Sequence, residues 1–164
     1  MKIRYSGLIE NDFINGEGVC VTLFTQGCPH HCPGCHNQET WDFRGGIEED
    51  YDIILNKIIR AISKNGIMRN LSISGGEPLC EQNIDWINTL IIDIKKKYPT
   101  IKIYCWTGYE YSALSELQKY VVKNIDILIT GPYKQDQRDI TLKLRGSSNQ
   151  EIWNIDKNEK ILYN

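Results

Sequence analysis

The sequence predicts an α/β protein built on a mainly parallel sheet with helices packed outside it. Three observations lead there. Apolar segments of strand length alternate with amphipathic segments of helix length, in the order strand, helix, strand, helix, strand, helix, strand. Alternation at this spacing implies right-handed crossovers between parallel strands. The first of the four strands, Val19 to Thr25, is apolar on both faces, as a strand covered from both sides must be. Each strand also runs into a glycine-bearing loop, and an open α/β sheet collects its ligands at the C-terminal ends of its strands.

Taken in order, Tyr5, Leu8 and Ile9 suggest an edge strand, followed by turns at Asn11-Asp12 and at Asn15 to Gly18. Strand one comes next, then a polar connection from Asn37 to Gly46. Glu48-Glu49-Asp50 places negative charge where a helix N-terminus favours it. Tyr51, Ile54, Leu55, Ile58 and Ile62 follow on one helical face, and Asn65-Gly66 supplies a C-terminal stop. Leu71 to Ser74 is a short strand. Helix two starts near Asn83 and carries Ile84, Ile87, Ile91, Ile94 and Tyr98 as its stripe, until Pro99 forbids continuation. Ile101 to Trp106 is strand three, Ser112 to Lys123 helix three with Leu114, Leu117 and Val121, and Ile125 to Thr130 strand four. Beyond Pro132 the pattern weakens, with short strands expected at Thr141 to Arg145, Glu151 to Ile155 and Ile161 to Tyr163. This loop-rich end is expected near the open side of the sheet, meeting a partner.

At 164 residues the chain fits one domain, 1–164, large enough to bury roughly 70% of its unfolded surface. A net charge of -2 gives no electrostatic reason for a nucleic-acid or membrane partner. The apolar runs are too short to span a bilayer. No apolar stretch follows Met1 to Tyr5, so no signal peptide is expected and the cytoplasm is the default compartment. There thiols stay reduced, so the six cysteines are not expected to form a disulfide framework. Cys20, Cys80 and Cys105 read as small core residues, and His30 and His31 as solvated loop residues.

The chemistry gathers after strand one. Cys28, Cys32 and Cys35 fall in a C-x3-C-x2-C spacing, inside a loop whose prolines and glycines deny it helix or sheet. Three thiolates with His30, His31 or His36 could complete a closed zinc site. A cubane iron–sulfur cluster normally takes four cysteines, and with three it would keep an open iron where a substrate can ligate. Spacing leaves both open. After strand two comes Gly75-Gly76-Glu77-Pro78, whose glycines admit close backbone approach and whose Glu77 offers an acceptor for an ammonium group. Thr107-Gly108-Tyr109 and Thr130-Gly131-Pro132 end strands three and four, so four unusual loops should meet at one sheet edge.

C-x3-C-x2-C after the first strand with Gly-Gly-Glu-Pro after the second resembles the radical S-adenosylmethionine superfamily. Within it the chain is similar to the activating proteins of glycyl-radical enzymes that serve anaerobic ribonucleoside-triphosphate reductase. Gly16 to Val19, Gly27 to Trp41, Gly75 to Leu79, Trp106 to Tyr109, Thr130 to Tyr133 and Arg145 to Gln150 carry the likeness. Two positions depart from the superfamily's habits: Gly34 stands where an aromatic often precedes the last cysteine, and Gly16-Glu17-Gly18 replaces a Gly-Pro-Gly turn. The resemblance implies a partial (β/α) barrel of radical-SAM type. It implies a 4Fe–4S cluster on Cys28, Cys32 and Cys35 with one open iron, and S-adenosylmethionine held by Gly34, Cys35, His36, Gly75, Gly76 and Glu77. One electron would cleave the sulfonium to methionine and a 5'-deoxyadenosyl radical, which would take a hydrogen atom from a glycine Cα. No side chain is expected to act as a general base. The implied partners are the large subunit of anaerobic ribonucleoside-triphosphate reductase, as protein substrate, and a low-potential electron donor such as flavodoxin. Alternatives at this point are activation of another glycyl-radical enzyme, a small-molecule radical reaction, or a zinc-stabilised binding module without catalysis.

Overall fold

The computed structural model describes residues 1–163. Its centre is one eight-stranded sheet in the order β3-β1-β2-β4-β5-β6-β7-β8. The strands are β1 (Lys2–Asp12), β2 (Cys20–Thr25), β3 (Ile47–Asp50), β4 (Asn70–Gly75), β5 (Ile103–Trp106), β6 (Ile127–Thr130), β7 (Glu151–Asn154) and β8 (Glu159–Ile161). Three α-helices accompany them: α1 (Tyr51–Ile62), α2 (Ile84–Lys97) and α3 (Glu116–Val122).

This corrects the expected architecture. The sheet is mixed, with four antiparallel pairings (β1·β2, β1·β3, β6·β7, β7·β8) against three parallel ones (β2·β4, β4·β5, β5·β6). It is not a helix-wrapped partial barrel of mainly parallel strands. The physical reason lies in the connections. Helical crossovers join the strands in the middle of the sheet, whereas β1 turns directly into β2 and β7 into β8, and short turns can join antiparallel strands alone.

β3 is a strand where acidic residues suggested a helix start. Ile47–Asp50 pairs with β1 so that Glu48 faces Arg4 and Asp50 faces Lys2, with ion pairs at 2.7 and 3.1 Å. Opposite charges across a ladder stabilise the pairing, and this strand, not β1, forms the sheet edge. The helix begins one residue later, and Asn65 at φ +57° and Gly66 at φ +71° turn the chain after it. Helix three is shorter than its pattern suggests: Tyr111–Ala113 forms a 3-10 turn, and a capping box between Ser115 and Gln118 starts α3. Thr141 to Arg145 forms no strand.

Alternation along the strands divides the interior. Val21, Leu23, Leu71, Ile73, Ile103, Cys105 and Leu128 join the apolar faces of the helices in one core. Fully burying residues such as Ile54, Ile58 and Ile62 contributes about 1.5–3 kcal/mol each. Tyr104, Ile127, Ile129 and Ile152 form a smaller cluster, against which Trp106, Leu144, Ile161 and Tyr163 pack. No helix among the described residues is long and apolar enough to cross a membrane.

Candidate functional site

The C-terminal ends of the parallel strands bring the four expected loops to one pocket. Its lining includes Cys28, Cys32, Cys35 and His36 after β2, Gly75 and Gly76 after β4, Thr107 and Gly108 after β5, and Gly131 after β6. Of the residues expected to contact a ligand, Cys35, His36, Gly75 and Gly76 border this space; Gly34 and Glu77 are not among its walls. Glu77 is fully buried and its carboxylate is engaged by protein donors.

The glycines of the second loop make the site possible by letting backbones touch. Gly75 takes φ +96°. A Cβ on Gly76 would collide with the carbonyl of Gly27, whose oxygen accepts the Glu77 N–H at 2.8 Å. The start of the cysteine loop is thereby zipped onto the Gly-Gly-Glu loop, with Gly76 N–H donating to Thr25 at 2.9 Å. On its far side the loop is closed by Gly27 N–H to Thr40 at 2.7 Å and Cys28 N–H to Trp41 at 3.2 Å.

All six cysteines are free. Cys20, Cys80 and Cys105 are buried, as small core residues are, while Cys28, Cys32 and Cys35 are partly exposed. Burial pushes the Cys28 thiol up to about 11 and raises that of Cys32. Backbone hydrogen bonds act the other way, from His30 and His31 to the Cys28 sulfur and from Tyr133 to the Cys32 sulfur. The Asn37 N–H reaches the Cys35 sulfur at 3.4 Å. Backbone N–H groups close to a sulfur stabilise negative charge on it, and coordination deprotonates a thiol outright. Among the described residues, no three His, Cys, Asp or Glu side chains converge as ligands of a single ion. Three thiols from one loop that line one pocket are a soft donor set, and that set fits a 4Fe–4S group.

Several residues of the pocket were not assigned to it on pattern. Trp41 stacks on His31 with ring centroids 4.6 Å apart, and Tyr133 meets His36 edge-on at 5.7 Å. Trp106 donates its indole N–H to Leu144 at 2.8 Å and forms another wall. Gln150 accepts from the Gly146 N–H at 2.9 Å and donates to the Gly131 carbonyl at 3.0 Å, fastening the Arg145 to Gln150 turn to the loop after β6. The signal for this turn was its cluster of small and amide residues, which alone does not say what it fastens. His30 is not solvated: its ring is 18% exposed and bonded to Glu77.

A family model described as a 4Fe-4S single cluster domain matches residues 14–153, which contain every loop of the pocket. Fold and site therefore define an iron–sulfur protein of the single-cluster class. Relatives named anaerobic ribonucleoside-triphosphate reductase-activating protein occur in Haemophilus influenzae, at 38% identity over 92% of this chain and 97% of the relative. Another in Escherichia coli K12 is 39% identical over 88% of this chain and 94% of its own length, and one from Enterobacteria phage T4 is 36% identical over 92% and 94%. The chain belongs to the family of anaerobic ribonucleoside-triphosphate reductase-activating proteins.

Proposed function

We propose that this protein cleaves S-adenosylmethionine reductively and uses the product to generate a glycyl radical on the large subunit of an anaerobic ribonucleoside-triphosphate reductase. Cys28, Cys32 and Cys35 hold a 4Fe–4S cluster through three irons. The carrying observation is that these three thiols and the Gly75-Gly76 backbone line one pocket that has no fourth cysteine in its walls. When bound, the cluster supplies the single electron that breaks the sulfonium carbon–sulfur bond, drawn from a low-potential donor such as flavodoxin.

The chain's own residues bind and orient. Gly75 and Gly76 present bare backbone to the ligand, Cys35 and His36 form the opposing rim, and Gly34 lies beside them in the chain, outside the pocket's walls. Trp106, Trp41 and Tyr133 supply apolar walls that exclude water from a reactive intermediate. Glu77 serves from beneath the surface, holding the loops around the ligand's ammonium end. No side chain in the pocket needs to remove a proton, because the hydrogen leaves glycine as an atom.

Anaerobic reconstitution with iron and sulfide tests the first half: about four irons per chain with broad brown absorbance support it, and a colourless zinc-loaded protein overturns it. The second half is tested by adding S-adenosylmethionine, reductant and reductase. A glycyl radical resonance on the reductase supports the assignment. Cleavage of S-adenosylmethionine without that signal points to a different substrate.

A further inference from the structure

Glu77 is the centre of a network that joins three loops. Its carboxylate accepts the Leu79 N–H at 2.9 Å and the Thr107 hydroxyl at 2.8 Å on Oε1, and the Gly108 N–H at 2.7 Å and His30 Nε2 at 2.7 Å on Oε2. Leu79 belongs to the loop after β4, and Thr107 and Gly108 to the loop after β5. His30 comes from the middle of the three-cysteine loop, between Cys28 and Cys32. The place of its ring is built: a Cβ on Gly108 would lie 2.5 Å from His30 Cδ2, and Tyr109 packs edge-on at 4.6 Å. The ends of the cysteine loop are fastened by backbone bonds at Gly27 and Cys28. The His30 side chain fastens its middle.

We propose that His30 is a positioning residue. Through Glu77 it fixes the three-cysteine loop against the Gly75-Gly76 and Thr107-Gly108 loops, and so sets where a cluster on that loop stands relative to S-adenosylmethionine. This rests on the function proposed above and adds to it the side chain that couples the cofactor's loop to the ligand's loops. The imidazole donates its Nε2 proton, since the carboxylate acts as acceptor throughout. Without it a buried oxygen keeps one donor of two, an unmet demand that a folded interior resists. The carboxylate must then recruit water or turn, and the Leu79 and Gly108 amides lose a fixed acceptor.

The test compares His30→Ala with His30→Gln, whose side-chain amide restores a donor. In the metal-free protein, hydrogen exchange of the Leu79 and Gly108 amides should be about tenfold faster or more in His30→Ala and close to wild type in His30→Gln, with the β4 amides unchanged. After reconstitution both variants should hold as much iron as wild type, while S-adenosylmethionine affinity falls about tenfold in His30→Ala and recovers in His30→Gln. Wild-type exchange and affinity in His30→Ala would overturn the proposal. So would loss of iron in both variants, which would make His30 a ligand. If His30→Ala does not fold, His30→Phe keeps the packing against Tyr109 and removes the donor, and wild-type exchange there is equally fatal. A wild-type chain that takes up no cluster defeats the underlying function instead, while the exchange data still decide whether His30 is the fastening.

Discussion

Gly27 and Gly76 meet backbone to backbone, so that the peptide entering the three-cysteine loop lies directly on the peptide of the Gly-Gly-Glu loop. The contact admits no side chain on Gly76. It joins the element that carries the thiols to the element that forms the second wall.

Gly76→Ala therefore forces these loops apart. Gly76 lacks the positive φ of Gly75, so the effect is steric. Overpacking of this kind costs about 1–3 kcal/mol, which lowers the melting temperature of a chain this size by roughly 3–10 °C. Gly7→Ala is the control, because a Cβ there meets nothing within 4 Å. Thermal unfolding of the two variants should separate them.

The cysteines divide by place in the fold. Replacing Cys28, Cys32 or Cys35 by Ala should abolish iron uptake and leave the far-ultraviolet circular dichroism of the metal-free chain unchanged. Cys105 is fully buried between strands of the core. Cys105→Ala should keep full iron content while lowering stability by about 1–2 kcal/mol. Iron analysis beside urea unfolding distinguishes a ligand from a packing residue.

The loop-rich C-terminal part is structural as well as superficial. Ile152 on β7 is 1% exposed and pairs with Ile129 on β6. Ile152→Ala should cost about 2–5 kcal/mol, measured by urea unfolding. A loss below 1 kcal/mol would mean that β7 is dispensable to the sheet.

Acid should weaken the β1–β2 hairpin. Burial acts to raise the Asp12 carboxyl, but bonds from the Asn15 side chain and the Ile14 N–H outweigh it and hold the group below its ordinary value. A carboxyl more acidic folded than unfolded contributes stability above its unfolded value and loses it as pH falls through its folded value. The unfolding free energy should decline from about pH 4 downward, and Asp12→Asn should make that decline shallower. Urea titrations of the metal-free chain across this range check the slope.

These residues also explain what could be read without coordinates. The central strands and three helices were legible because apolar periodicity reports which face of an element is buried, and Ile54, Ile58, Ile87 and Ile91 are indeed fully buried. Convergence of the glycine loops followed from the parallel order of β2, β4, β5 and β6. Strands at the positions of β1, β7 and β8 were expected, but their antiparallel pairing was not legible, and neither was β3. Glu48 and Asp50 carry charge for a ladder with Arg4 and Lys2, a long-range pairing that resembles a helix N-terminus when seen locally. The partial barrel was drawn from a resemblance, whereas short connections make β1·β2 and β7·β8 antiparallel, and β1·β3 and β6·β7 are pairings between strands distant in the chain. His30 looked solvated because nothing local to it names Glu77, its partner 47 residues away.

The central claim is that the three-cysteine pocket holds a cluster with one iron left for S-adenosylmethionine. The most direct measurement is electron paramagnetic resonance of the reduced, reconstituted protein, recorded with and without S-adenosylmethionine labelled at its amino nitrogen and carboxylate. The account predicts a changed cluster signal and hyperfine coupling from the labels to the iron. A cluster signal that S-adenosylmethionine leaves unaltered, with no coupling at saturating ligand, would contradict it.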